Sequence, residues 1–210
     1  MTVSATYGSG GSIIAPRLAT ELGLPFVDRL ISADMSQDAA RSERSQEGLS
    51  EGEQAATPTG RFLSYFARAA SVGAMMAPDA VLEDDDSIRA RTEEGVRDLA
   101  EGAPAVLLGR AGAVVLAKRP RAFHVRLDGP VVRRVAWAAE FEHLDLEAAR
   151  RRQSETDRAR TQFVKRLFRV DPGDPSLYHL VLDPTVLGVE PALQLVVMAA
   201  QAFFAAIPSE

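Results

Sequence analysis

The chain has 210 residues, 46% of them hydrophobic and 25% charged, with a net charge of −5 at pH 7. That length suits one α/β domain, residues 1–210, with an inserted subdomain and a substantial core. The acidic balance gives no reason to expect a nucleic acid or an anionic membrane as partner, and the lack of cysteine excludes disulfides, thiolate nucleophiles and cysteine metal sites.

The first stretch, Thr2 to Thr6, alternates Val3 and Ala5 with polar neighbours, as a strand requires. It runs into Tyr7-Gly8-Ser9-Gly10-Gly11-Ser12, and Ile14, Leu18 and Leu22 then recur at helical spacing up to Gly23, a left-handed helix stop. Pro16 is expected in the first turn or so. Strand, glycine turn and helix start together can hold a phosphate, because glycines let amides turn inward and the helix dipole favours an anion. Against the P-loop pattern G-x-x-x-x-G-K-[ST], Gly10 and Ser12 fall on the second glycine and the hydroxyl, while Ala5 replaces the first glycine and Gly11 the lysine. On its own, a glycine-rich turn with no ligand fits these residues equally well.

Phe26-Val27 reads as a short second strand ending on Asp28, which either caps the next helix or contacts a ligand at the sheet's rim. Residues 34–60 are polar and acidic and read as a mobile loop or a weak solvated helix. Phe62, Tyr65 and Phe66 share a helical face that reads as core. Asp84-Asp85-Asp86 reads as negative charge at the start of a helix over Ser87–Glu101 rather than as a metal cluster.

Ala105–Leu108, Ala122–Asp128 and Leu177–Asp183 are apolar runs that stop on polar residues, with helical patterns between them. The order predicts a doubly wound five-stranded parallel sheet whose site lies along the strands' C-terminal edge. From Arg150 to Arg169 eight basic residues face only Glu155 and Asp157, and such a stretch reads either as a solvated helix or as arginines that close over phosphates. The last helix, from about Glu190 to Ala206, sets Leu193, Val196, Val197 and Ala200 on one face and leaves Phe203 and Phe204 for a possible homodimer contact. His124, His143 and His179 lack metal-ligand spacing. With no leader segment and no membrane span in view, a cytoplasmic location is expected.

Taken in order, Ala5–Ser12, Gly23–Arg29, Gly109-Arg110, Val125–Asp128, Thr156–Arg160 and Leu182–Leu187 resemble the cytidylate kinase-like family, a branch of the P-loop nucleoside monophosphate kinases. The resemblance spans nearly the whole chain apart from roughly residues 34–100. It implies phosphoryl transfer from ATP, with Mg2+, to CMP or a related monophosphate. It implies that Gly8, Ser9, Gly10, Gly11 and Ser12 hold the ATP phosphates, with Ser12 meeting the magnesium ion. It also implies that Asp28, Arg29, Arg110 and Arg152 address the acceptor, and that Asp157, Arg158 and Arg160 act in catalysis from an arginine-rich lid at about 141–170. The monophosphate-binding insert would occupy about 30–100.

Two departures bear on the chemistry. Gly11 removes the loop lysine, and Leu108 stands where typical cytidylate kinases place an aspartate before the glycine-arginine pair. A lid arginine is the natural substitute for the lysine, and Asp28 or Asp128 for the acid near the metal. The alternative is a non-catalytic nucleotide-binding or regulatory protein.

Overall fold

The computed structural model describes residues 1–28 and 85–207. The chain divides into one unit of residues 1–27 with 81–210 and a second of residues 28–80, and the first is described below. Arg29, the polar stretch over 34–60, the aromatic face at Phe62 to Phe66 and the Asp84 member of the acidic run lie outside the described residues.

Five strands form one parallel sheet: β1 (Thr2–Ala5), β2 (Phe26–Val27), β3 (Val106–Leu108), β4 (His124–Leu127) and β5 (Leu180–Leu182). Their order is β2-β3-β1-β4-β5, the doubly wound arrangement that the alternation of strand and helix patterns predicts. The helices are α1 (Gly11–Glu21), α2 (Asp85–Glu101), α3 (Gly112–Val115), α4 (Val131–Phe141), α5 (Leu146–Phe168), α6 (Pro184–Leu187) and α7 (Val189–Ala205).

β3 is continuously apolar because it is buried on both faces of the sheet, whereas β1 and β4 interleave apolar residues with Thr2, Ser4, His124 and Arg126. Val106 and Leu108 join Val3, Val125 and Leu127 in a core completed by Ile14 and Leu18 of α1 and Leu193 and Val196 of α7. Leu107, pointing the other way, packs with Val96 of α2, Leu116 and Ala122. Register brings the ends of β1 and β4 level, with Ala5 beside Leu127, and sets Leu108, the end of β3, beside Val3. The residues that follow, Thr6, Gly109 and Asp128, therefore share one edge.

Gly23, at φ 64°, ends α1 after a cap at Leu22. Pro16 lies inside α1 rather than in its first turn, so the carbonyl of Ser12, four residues earlier, loses its helical donor there. Asp85 and Asp86 lie in the first turn of α2. Phe203 and Phe204 do not project as a spare apolar face: their ring centroids lie 5.0 and 6.5 Å from that of Phe123, against the core. No described helix is long and apolar enough to cross a membrane.

At the start of β4, His124 is buried, with Nδ1 2.8 Å from the Thr2 hydroxyl and its ring stacked 5.2 Å from that of His179. Burial, reinforced by the neighbouring His179, pushes its pKa down to about 4. The unfolded chain takes up this proton near pH 6.5 and the folded chain only near 4, so stability falls as the pH drops through that window. Unfolding free energies from urea titrations at pH 7 and pH 4 should differ through His124 by up to about 3 kcal/mol, and His124→Leu should remove this part of the pH dependence.

Candidate active site

Between β1 and α1 the chain makes a turn in which Gly8 and Gly10 are both left-handed, at φ 73° and 77°. Any other residue would be strained there, and the surroundings forbid a side chain as well. A Cβ on Gly8 would collide with the Arg134 carbonyl, and one on Gly10 would lie 3.1 Å from the Trp137 ring. Ser9, between them, is buried and donates its hydroxyl to the carbonyls of Thr6 at 2.8 Å and Leu127 at 2.9 Å. Gly10 caps α1 without a side-chain hydrogen bond. The first amides of that helix, those of Gly11 and Ser12 among them, therefore have no intrahelical partners to meet.

Gly11 occupies the lysine position of the P-loop pattern, and its Cβ direction runs into the Ala5 methyl group. Ala5 is itself the residue that replaces the pattern's first glycine. The two departures are one steric exchange: a side chain at position 5 fills the space that a side chain at position 11 would need.

The turn is clasped from two sides. Arg134 of α4, buried, donates Nη1 to the Tyr7 carbonyl at 2.6 Å and to Asp157 Oδ2 at 2.8 Å, and Nε to the Gly129 carbonyl at 2.7 Å. Asp157 of α5 accepts from the Tyr7 amide at 2.8 Å and from Gln153 Nε2 at 2.9 Å. One helical turn further, Arg160 donates Nη1 to the Ala5 carbonyl at 2.8 Å, at the root of the loop. The Tyr7 hydroxyl donates to Glu142 Oε2 at 2.8 Å, which also accepts from Arg152 Nη1 at 2.6 Å. Burial and the Glu142 carboxylate both push the Tyr7 phenol pKa up.

These contacts sort the residues singled out by sequence. Arg160 reaches the loop. Asp157, expected at the chemistry, instead spends its carboxylate on Tyr7, Arg134 and Gln153 and anchors α5 to the loop. Arg152 is tied to Glu142. Arg158 is exposed on α5, away from the face that buries Gln153, Thr156 and Val164. Asp128, considered above as an outer support for a metal ion, is saturated. Oδ1 accepts from the Thr6 hydroxyl and the Gly129 amide, and Oδ2 accepts the Arg126 fork at 3.0 and 2.6 Å. Four donors fill a carboxylate's four lone-pair sites. Burial opposes the charge on Asp128, but these donors hold its pKa below the ordinary carboxylate value.

Arg110 follows β3 in a turn where Gly109, Arg110 and Ala111 are all left-handed, at φ 77°, 56° and 52°. Two consecutive non-glycine residues in that region mark a strained backbone, of a kind that clusters at functional sites. Asp28 follows β2 directly. Ser12 is exposed in the first turn of α1. Among the described residues no three His, Asp or Glu side chains group to hold a metal ion.

Sequence reasoning missed Arg134 and Trp137. The available signal was spacing: Arg134, Trp137, Ala138 and Phe141 recur at i, i+3, i+4 and i+7 immediately after the turn that ends β4, so one stripe of α4 must face the neighbouring β1 loop.

The sequence model of the cytidylate kinase-like family matches residues 1–185. A curated cytidylate kinase from Methanopyrus kandleri is 35% identical over 111 residues, 49% of this chain and 58% of that protein, so the chain spans only a little over half of its relative's length. Among solved structures, an uncharacterized protein from Eubacterium ventriosum superposes with a TM-score of 0.59 at 14% identity, over 96% of this chain and 97% of that one. At that identity the likeness concerns the fold alone.

Breaking a buried ion pair by removing one partner is costly because the other charge is stranded. Arg134→Met should therefore lower unfolding free energy in urea by about 3–5 kcal/mol. Asp157→Asn, which keeps an oxygen for the Tyr7 amide, should cost less.

Proposed function

We propose that this chain, which belongs to the cytidylate kinase-like family, transfers the γ-phosphoryl group of ATP to CMP or a related nucleoside monophosphate. The observation that carries the reading is the position of Arg160: its guanidinium hydrogen-bonds the last carbonyl of β1, at the root of the glycine turn. Phosphoryl transfer asks a protein chiefly to position the reactants and neutralise charge. Here the amides of Gly10, Gly11 and Ser12 at the start of α1 would receive the donor phosphates. Arg160 would supply the permanent cation that Gly11 cannot.

The acceptor side of the reading rests on Arg110, held in its strained turn at the same sheet edge, with Arg152 as a further contact. Arg158 faces away from the loop, so the donor side falls to Arg160. Magnesium favours substrate phosphates with one or two protein oxygens over an all-protein cage, and the Ser12 hydroxyl is a single oxygen of that kind. The ion would neutralise charge on the phosphates. Asp128, with all its lone pairs engaged, would serve the loop's geometry and not the ion.

The second reading, a nucleotide-binding protein without turnover, is favoured by the steric block at Gly11 together with Leu108 in the place of an acid. One assay series separates the two. Purified protein with ATP, Mg2+ and a panel of monophosphates should release ADP only when both substrates are present, and Arg160→Ala should lower kcat about 10²–10³-fold. Gly11→Lys alone should impair the loop, whereas Ala5→Gly with Gly11→Lys should fold and keep or raise turnover. Saturable ATP binding by calorimetry, with no turnover of any monophosphate, would establish the second reading instead.

A further inference from the structure

Arg126 is an unexpected residue for its place. It lies in β4, with a strand on either side and the apolar Val125 and Leu127 as chain neighbours, and its side chain is only 13% exposed. A guanidinium so placed gives up most of its water, and only several well-aimed acceptors offset that loss. Arg126 and Asp128, two residues apart along an extended chain, point to one face of the sheet. Nε and Nη2 both bond Asp128 Oδ2, at 3.0 and 2.6 Å. Nη1 takes a different partner and donates to the Pro172 carbonyl at 2.6 Å. Pro172 belongs to the turn that returns the chain from α5 to β5. Tyr178 closes the same turn: its hydroxyl donates to the Pro172 carbonyl at 2.8 Å, and the Arg126 guanidinium carbon lies 5.6 Å from the centre of its ring.

Three elements therefore meet at one guanidinium: β4 itself, the start of the glycine turn through Asp128 and Thr6, and the segment just past α5. It is α5 that brings Arg160 to the Ala5 carbonyl. Arg134 ties that helix near its middle through Asp157, and Arg126 ties the chain again just beyond the helix end. One tie fixes a point on a helix; two fix its direction. Resting on the reading of the loop as a phosphate site, we propose that Arg126 is a positioning residue. By holding Pro172 with one nitrogen and Asp128 with the other two, it sets α5, and with it Arg160, in register with the glycine turn. The Asp128 oxygen it uses is the one that Thr6 and Gly129 leave free, so helix and loop are steadied against the same carboxylate. Arginine suits this post because its rigid, permanently charged fork serves two acceptors at once, whereas a lysine offers a single point charge.

The test is a double-mutant cycle on the full chain, read in kcat with ATP and a monophosphate and, separately, in urea unfolding. Arg126→Met should lower kcat about 10- to 100-fold, the scale expected when a reacting group's partner is displaced by about 1 Å, and change the KM for the monophosphate by no more than about twofold. In the Arg160→Ala background the same change should have little further effect on kcat, because the residue it positions is already gone. Its effect on unfolding free energy should be equal in both backgrounds. Additive losses in kcat, or a loss confined to KM, would make Arg126 a purely structural residue and overturn the proposal. Arg126→Lys covers the case in which Arg126→Met does not fold. It keeps a charge beside Asp128, so it should fold, yet still lose about tenfold in kcat for want of the fork; wild-type turnover in this variant would overturn the proposal as well. If the chain binds ATP without turnover, the kinase reading fails alone, and the same cycle, read in the Kd for ATP by calorimetry, decides the role of Arg126 by the same additivity. If the wild-type chain binds no ATP, the phosphate reading of the loop fails and the positioning role falls with it.

Discussion

The site depends on where one buried cation sends its hydrogen bonds. Arg134 pairs with Asp157 and also donates to Tyr7 in the glycine turn and to Gly129 at the end of β4. Taking a charge out of water costs several kcal/mol, so the arrangement holds only while all three elements are in place. Its contribution is therefore less to net stability than to uniqueness: the loop, α4 and α5 can dock in one way. The residue's backbone takes part as well, since the Arg134 carbonyl fills the space where Gly8 lacks a Cβ. A larger residue at Gly8 would move α4 away and unseat the guanidinium with it.

That clasp also sets the position of Arg160. Asp157 and Arg160 are one helical turn apart on α5, and both bond to the loop's backbone, at Tyr7 and Ala5. A lysine at the start of α1 would be placed by its own helix. A guanidinium arriving from α5 is placed only as well as α5 is docked. The exchange between Ala5 and Gly11 thus has a structural cost: once the loop gives up its own cation, the rigidity of the Arg134–Asp157 pair becomes part of how the phosphate would be met. Asp128 fits the same logic. Its carboxylate joins Thr6, Gly129 and Arg126, which fixes the start of the loop to the end of β4.

The sheet was legible from sequence because burial on both faces leaves β3, Val106–Leu108, with no polar alternation, while β1 keeps the alternation of a strand. The turn and the end of α1 were legible because Gly8 and Gly10 in the one, and Gly23 at the other, adopt backbone angles that other residues avoid. What the sequence could not carry is direction. Asp157 beside Arg158 and Arg160 reads as a group of lid residues, but successive helical positions are 100° apart, so Asp157 and Arg160 face the loop while Arg158 faces solvent. Arg134 sits within a valine-rich run beside Arg133 and looks like an exposed helix arginine until β1 is placed next to β4. Phe203 and Phe204 read as surplus for the same reason: the partner ring, Phe123, lies at the far end of another strand pattern.

The basic stretch over Arg150–Arg169 shows how far sequence density differs from charge density. Its eight cations are dispersed around a helix of six turns or so, and several are tied to local acids: Arg152 to Glu142, Lys165 to Asp171 and Arg166 to Asp85. What faces the glycine turn from α5 is Asp157, already paired with Arg134, and Arg160. An acidic chain with its cations so distributed offers a phosphate little long-range attraction, since exposed charges are screened within about 8–10 Å at physiological salt. On the proposed reading, recognition at such a loop would come from short-range geometry: oriented amides and one guanidinium held by α5. Each of these is placed by contacts to the same turn, so the loop's backbone, more than any side chain projecting from it, is the element that organises the site.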